Sequence, residues 1–268
     1  DPLLMTTPAT SAARSPADPM ISVIGLYKSF GDKEVLRGID LEIGRGESLM
    51  LVGGSGAGKS VFIKHLIGLL QPDEGNVVVD GVDLTVASPE TVLELRKRFG
   101  MSFQEGALFD SMSVFDNIAF PIRRHTSKSD DEIAARVAHC LELVRLPGIE
   151  HKMPSKLSGG MRRRVGFARA IALEPQILLF DEPTTGLDPI NTAAIGRVIN
   201  QLRQELDVTV VTITHDMSLA NRIADRIAMM RRGQILLVDT PERFMQSSKP
   251  FVRGFLEGEL PEVLEEQS

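Results

Sequence analysis

The chain has 268 residues, 43% hydrophobic and 25% charged, with a net charge of −6 at pH 7. That is an ordinary globular composition, long enough to bury a full core in one large domain or in one domain with a subdomain. The acidic balance argues against nucleic acid as a partner, and no apolar run nears the roughly 18 residues that span a bilayer.

Residues 1–19 are rich in Thr, Ala, Ser and Pro and lack apolar periodicity, so they read as a disordered tail. Without a cationic start and an apolar core they are not a secretory signal, and the chain is expected to stay in the cytoplasm. From Ile21 onward, short runs at 21–25, 41–43 and 76–79, punctuated by Phe30-Gly31-Asp32 and Val79-Asp80-Gly81, predict antiparallel strands. The runs 48–52, 177–180 and 208–213 are continuously apolar, which suits strands of a mostly parallel sheet covered on both faces. An amphipathic stretch at 61–70 predicts a helix, and so does 129–144, where Ser129 caps an acidic first turn and Ile133, Val137, Leu141 and Val144 share a face. Cys140 is the single cysteine; it cannot form an internal disulfide and is expected to pack among Val137, Leu141 and Val144. Further helices are predicted at 161–173, 189–205 and 217–224, and the cluster Arg162-Arg163-Arg164 reads as a solvated helix face. No internal repeat is present.

Chemistry enters at Gly53, Gly54, Ser55, Gly56, Ala57, Gly58, Lys59 and Ser60, between an apolar strand and a helix that opens with Val61. Glycines at this spacing let consecutive backbone N–H groups curl around linked phosphates, Lys59 adds a point charge, and the Ser60 hydroxyl is placed for Mg²⁺. The following helix turns its positive end to the same anion, so the ligand class is a nucleoside triphosphate such as ATP. A second glycine motif, Leu157-Ser158-Gly159-Gly160-Met161, precedes the strand that ends in Asp181 and Glu182. That strand delivers two carboxylates to the carboxyl edge of a sheet, where open α/β folds place their ligands. Asp181 suits Mg²⁺ held through water, and Glu182 suits polarising an attacking water. His215, ending the run 208–214, projects from the same edge if the two strands are parallel.

These residues resemble the nucleotide-binding subunit of ATP-binding cassette (ABC) transporters, in motif order, from about 21 to about 243. The resemblance implies an α/β fold: a RecA-like phosphate-loop NTPase core, an N-terminal antiparallel β subdomain and an inserted helical subdomain at roughly 99–173. It makes 20–243 one cassette and 244–268 a C-terminal extension. It further implies that Gln104 senses Mg²⁺ and water and faces a membrane partner, that His215 contacts the γ-phosphate, and that Phe30 stacks on adenine, ahead of Tyr27. Ser158, Gly159 and Gly160 then act on the nucleotide of a second copy, and Asp188 organises the two sites of that homodimer. Met161 departs from the glutamine usual in this family.

The flanks of these motifs narrow the resemblance. The apolar stretch 106–121, Gly54 with residues 61–65, Met161 and the ending 251–258 look like the ATPases of Mla and Mce-type lipid transporters. Read alone, 106–121 is a core strand and turn of the inserted subdomain. The narrower resemblance implies a complex at the cytoplasmic face of the bacterial inner membrane that moves phospholipid. Its other parts would be two copies of an integral permease, a periplasmic Mce-type lipid-binding protein and a small cytoplasmic regulatory subunit. The alternatives are an importer ATPase for amino acids or another small solute, and a soluble ABC ATPase outside transport. The tail either reaches the neighbouring ATPase or carries a few core-packing aromatics.

Overall fold

The computed structural model describes residues 19–103 and 106–258; the tail expected at 1–18, Gln104 and the acidic end beyond 258 lie outside them. The described residues begin with a hairpin of two long strands, β1 (Pro19–Phe30) and β2 (Lys33–Gly44), so Pro19, placed in the tail by the sequence, belongs to a strand. Bulges interrupt the pairing, which is why the sequence shows only short runs of alternation there. With β4 (Glu74–Val79) and β5 (Val82–Asp83) they form an antiparallel sheet in the order β2-β1-β4-β5.

The second sheet has the order β10-β9-β3-β8-β7-β6. It comprises β3 (Ser48–Val52), β6 (Phe99–Ser102), β7 (Ile177–Asp181), β8 (Thr209–Ile213), β9 (Arg226–Arg231) and β10 (Gln234–Asp239). All its neighbours pair in parallel except β9 with β10. Along β3, Met50 and Val52 enter one apolar cluster while Leu49 and Leu51 enter the other; β7 divides likewise, Leu178 and Phe180 against Ile177 and Leu179. Both faces are therefore dry, and that is why these strands are apolar without alternation.

Helices α1 (Lys59–Leu66), α6 (Pro189–Leu206) and α7 (Met217–Ile223) follow β3, β7 and β8, and α2 (Pro89–Arg96) precedes β6. Helix α1 begins with the phosphate-loop lysine and ends before the expected 70, where the amides of Leu69 and Leu70 both turn back to the Lys64 carbonyl. Between β6 and β7 lie α3 (Val114–His125), α4 (Asp130–Leu143) and α5 (Gly159–Ala170). Ser129 and Glu132 close a reciprocal capping box on α4, and Cys140 is buried on its inner face.

Two expectations fail in this region. Residues 114–121 form a helix instead of a strand and turn: Ser113 caps it, and Val114, Ile118, Ala119 and Ile122 bury one stripe around Pro121. The arginine cluster is a solvated face only at Arg162, which is exposed. Arg163 is buried and donates to the Thr185 carbonyl, Arg164 to those of Val144 and Arg145, and Arg162 to that of Leu157. At the C-terminal end of the described chain, α8 (Pro241–Met245) and α9 (Pro250–Glu257) pack against the larger cluster through Phe244 and Val252. Among the described residues no helix is long and apolar enough to cross a membrane.

Candidate active site

Parallel register brings the chemistry to one edge. Ile213 of β8 lies beside Leu51 of β3 and Asp181 of β7. The loops leaving these three adjacent strands therefore start level with one another, and they carry Lys59, Glu182 and His215. They surround a cavity of about 950 Å³ lined by residues 53–61, Asp181, Glu182 and His215. Sequence reasoning and geometry coincide here because each motif sits directly at a strand end.

The phosphate loop is shaped by close approach. A Cβ on Gly53, whose φ is 153°, would lie 2.1 Å from the Met230 carbonyl oxygen of β9. Only glycine fits that wall. The Lys59 ammonium curls back to the carbonyls of Gly53 and Gly54, at 2.6 and 2.9 Å. Burial lowers its pKa, against the opposing pull of Glu182 and Asp181. Asp181 is shifted the other way: burial and the neighbouring Glu182 raise its pKa, and Lys59 only partly offsets them. A site with two crowded carboxylates and a desolvated lysine is one that a polyphosphate and a cation would complete.

Glu182 adopts a left-handed backbone, φ 50°, as the chain turns out of β7, and its amide donates to the Ile213 carbonyl at 2.9 Å. A non-glycine residue held there is strained, and such strain gathers at functional sites. Its Oε2 accepts from the Thr185 hydroxyl at 3.1 Å and lies 2.9 Å from His215 Nδ1. The next residue pair repeats the stitch: the Thr184 hydroxyl donates to Asp216, which caps α7. The loops after β7 and β8 are thus tied to each other.

The second glycine motif lies elsewhere. Ser158 is the N-cap of α5, accepting from the Met161 amide at 3.3 Å, so Gly159 and Gly160 are already inside the helix that was expected to begin at 161. A Cβ on Gly160 would touch the Asn191 side chain, which donates to Asp188, the N-cap of α6. Ser158, Gly159, Gly160 and Asp188 form a second constellation, outside the wall of the phosphate cavity in their own chain.

Phe30 is also absent from that wall. It is 47% exposed at the β1–β2 turn, with the Lys28 ammonium 5.7 Å from its ring centroid, and Tyr27 lies over Gly38 on β2. What lines the cavity on this side is Lys33, Glu34, Val35 and Arg37 of β2, with Arg232, Gly233 and Phe255. Sequence reasoning missed these residues. The signal available for Arg232-Gly233 was a turn dipeptide between β-type runs. A Cβ on Gly233 would meet the Val35 carbonyl at 2.3 Å, and the Gly233 amide donates to the Ala57 carbonyl at 3.0 Å, so the β9–β10 turn is sewn to the phosphate loop.

The family described as ABC transporter matches residues 36–185, which contain the phosphate loop, the second glycine motif and Glu182. The chain belongs to the ABC transporter family. It is an ATPase subunit of that family, with the α/β phosphate-loop fold. It is 44% identical over 245 residues to a protein named probable ribonucleotide transport ATP-binding protein mkl of Mycobacterium leprae, covering 91% of this chain and 71% of that one. It is 40% identical over 240 residues to the intermembrane phospholipid transport system ATP-binding protein MlaF of Haemophilus influenzae, covering 90% and 91%. Among solved structures, the dimeric ATP-binding cassette MJ0796 bound to ADP and phosphate superposes with a TM-score of 0.75 at 28% identity, covering 83% of this chain and 99% of that one. The phosphate loop contained in the family match lines the cavity at the ends of β3, β7 and β8.

Proposed function

We propose that this chain powers phospholipid transport across or between bacterial envelope membranes, hydrolysing ATP at the cavity and passing the resulting movement to a separate permease. The observation that carries hydrolysis is the convergence of Lys59, Asp181, Glu182 and His215 on one sheet edge. Phospholipid as cargo rests on the similarity to MlaF, which extends over almost the whole of that protein.

The residues present fit ATP and Mg²⁺: a glycine cradle that a Cβ would fill, a lysine turned onto loop carbonyls, and oxygen donors suited to a hard cation. Ser60 directly, Asp181 through water, and Gln104 would hold Mg²⁺, which when bound neutralises charge on the β- and γ-phosphate oxygens. Phosphate oxygens and waters would complete the cation's shell. Lys59 leaves the Gly53 and Gly54 carbonyls for the phosphates. Glu182, fixed by Thr185 and His215, orients and polarises the attacking water, and His215 reaches the γ-phosphate. Phosphoryl transfer asks the protein for such positioning and charge stabilisation more than for covalent chemistry.

The separation of Ser158, Gly159, Gly160 and Asp188 from their own phosphate loop supports a homodimer, in which each copy presents this constellation to its partner's ATP. The positive end of α5 then faces an anion that its own chain does not supply. Phe30 is assigned to adenine, and Gln104 to the coupling with a permease dimer. This subunit then sits at the cytoplasmic face of the inner membrane, bound to the permease, and a periplasmic Mce-type lipid-binding protein and a small cytoplasmic regulatory subunit complete the complex.

The test is ATP-dependent movement of labelled phospholipid in nanodiscs or vesicles containing the co-purified permease complex. Lipid movement is the expected result. Transport of a ribonucleotide or an amino acid with no lipid movement would overturn the assignment of cargo.

A further inference from the structure

Among the described residues that line the nucleotide cavity, Phe255 is the only phenyl ring, and it comes from α9, far from every motif. Helix α9 is anchored by Val252, which is fully buried, and it is closed by Gly258 in the left-handed conformation. Arg253 and Glu257 pair along the helix at i,i+4 spacing. Phe251 and Phe255 are spaced alike, and both lean on the larger apolar cluster. Only Phe255 also reaches the cavity.

That position is physically odd. The wall around it carries Lys33, Arg37, Lys59, Asp181, Glu182 and Arg232, so a half-buried ring faces a strongly polar cavity. Exposed apolar surface there is unfavourable by about 25 cal/mol per Å². A nucleotide supplies what would cover it, since its base and ribose are the flat or weakly polar parts of an otherwise anionic ligand.

We propose that Phe255 is a nucleotide contact and that α9 is thereby part of the ATP site, a C-terminal helix whose anchoring reports whether the cavity is filled. The proposal rests on the reading of this cavity as the nucleotide site. It adds a second aromatic to Phe30, from the opposite end of the chain, and gives the C-terminal extension a role within its own subunit.

Binding of a fluorescent ADP analogue to the full chain tests it, with amide hydrogen exchange of residues 250–258 measured alongside. Aromatic contacts to bases are worth about 1–3 kcal/mol, so F255A is expected to weaken binding about tenfold and F255Y to stay within about twofold of wild type. F251A loosens the same helix from the same cluster without touching the cavity, and is expected to leave affinity within about twofold. Nucleotide should slow exchange in α9 of the wild type and not of F255A. Unchanged affinity in F255A, or an equal loss in F251A, overturns the proposal. Undiminished binding by K59A would instead overturn the reading of the cavity on which the proposal stands.

Discussion

Glu182 is held by three residues of two segments: its amide by Ile213, its carboxylate by Thr185 and by His215. Replacing the carboxylate with an amide of the same shape leaves these supports nearly intact and removes only the charge that polarises water. E182Q is therefore expected to keep ATP affinity within a few-fold while hydrolysis falls about 10²- to 10⁴-fold, measured as phosphate release against nucleotide binding. Near-normal turnover would remove Glu182 from the chemistry. Asp181 gives a prediction about stability. Its pKa is raised in the folded state, by burial first and by Glu182 next. The folded protein thus binds this proton more tightly than the unfolded chain does; the ionised carboxylate opposes folding at neutral pH, and the opposition fades as pH falls through the raised pKa. D181N is expected to raise the melting midpoint of the nucleotide-free protein at pH 7.5, with the advantage shrinking in acid, and to slow hydrolysis while raising the Mg²⁺ concentration it needs. Lys59, Asp181, Glu182 and His215 were legible in the sequence because each adjoins a strand that is apolar on both faces. Phe255 and Arg232 were not, since their approach to the cavity depends on packing between segments about 175 or more residues from the phosphate loop.

Elements were readable wherever a local signal and a buried face agreed. Helix α4 shows both, a Ser-x-x-Glu start and a clean apolar stripe, and its span was predicted to within a residue at each end. S129A removes the hydroxyl that accepts from the Glu132 amide, so it is expected to lower unfolding free energy by about 1 kcal/mol in urea titration, without changing ATP affinity. Where signals conflicted, the sequence misled. Pro121 and a dense apolar run hid α3, although Ser113 was in place to cap it and the buried stripe offsets the hydrogen bond and ring clash that an interior proline costs. The arginines of α5 look like solvent residues by composition, yet the first turns of that helix lie against two loops rich in unpaired carbonyls, and guanidinium groups satisfy them. Arg169, one of the last residues of α5, does the same for the segment after Gln104, donating to the carbonyls of Ala107 and Gly106 at 2.9 and 3.1 Å. The helix thus links the second glycine motif at its start to the loop beyond Gln104 at its end.

At the scale of the molecule, this chain holds two half-sites that do not meet. One is the phosphate cavity with Lys59, Glu182 and His215; the other is the turn at Ser158 beside Asp188, outside that cavity's wall. A second copy related by a two-fold axis resolves this, because a self-complementary interface lets each chain supply the half that the other lacks. In the proposed homodimer the nucleotide would be part of the interface, and assembly would depend on its being bound and uncleaved. In an E182Q background, ATP is expected to convert the monomer to a dimer by sedimentation, and ADP is not. Adding S158R places a long cation where the partner's nucleotide must dock and removes the cap of α5. That double variant is expected to bind ATP in each chain as tightly as E182Q does, since Ser158 lies outside its own cavity, yet to remain monomeric at every ATP concentration. A dimer that forms equally well with S158R would show that the copies associate through another surface, and that the second half-site belongs to something other than ATP.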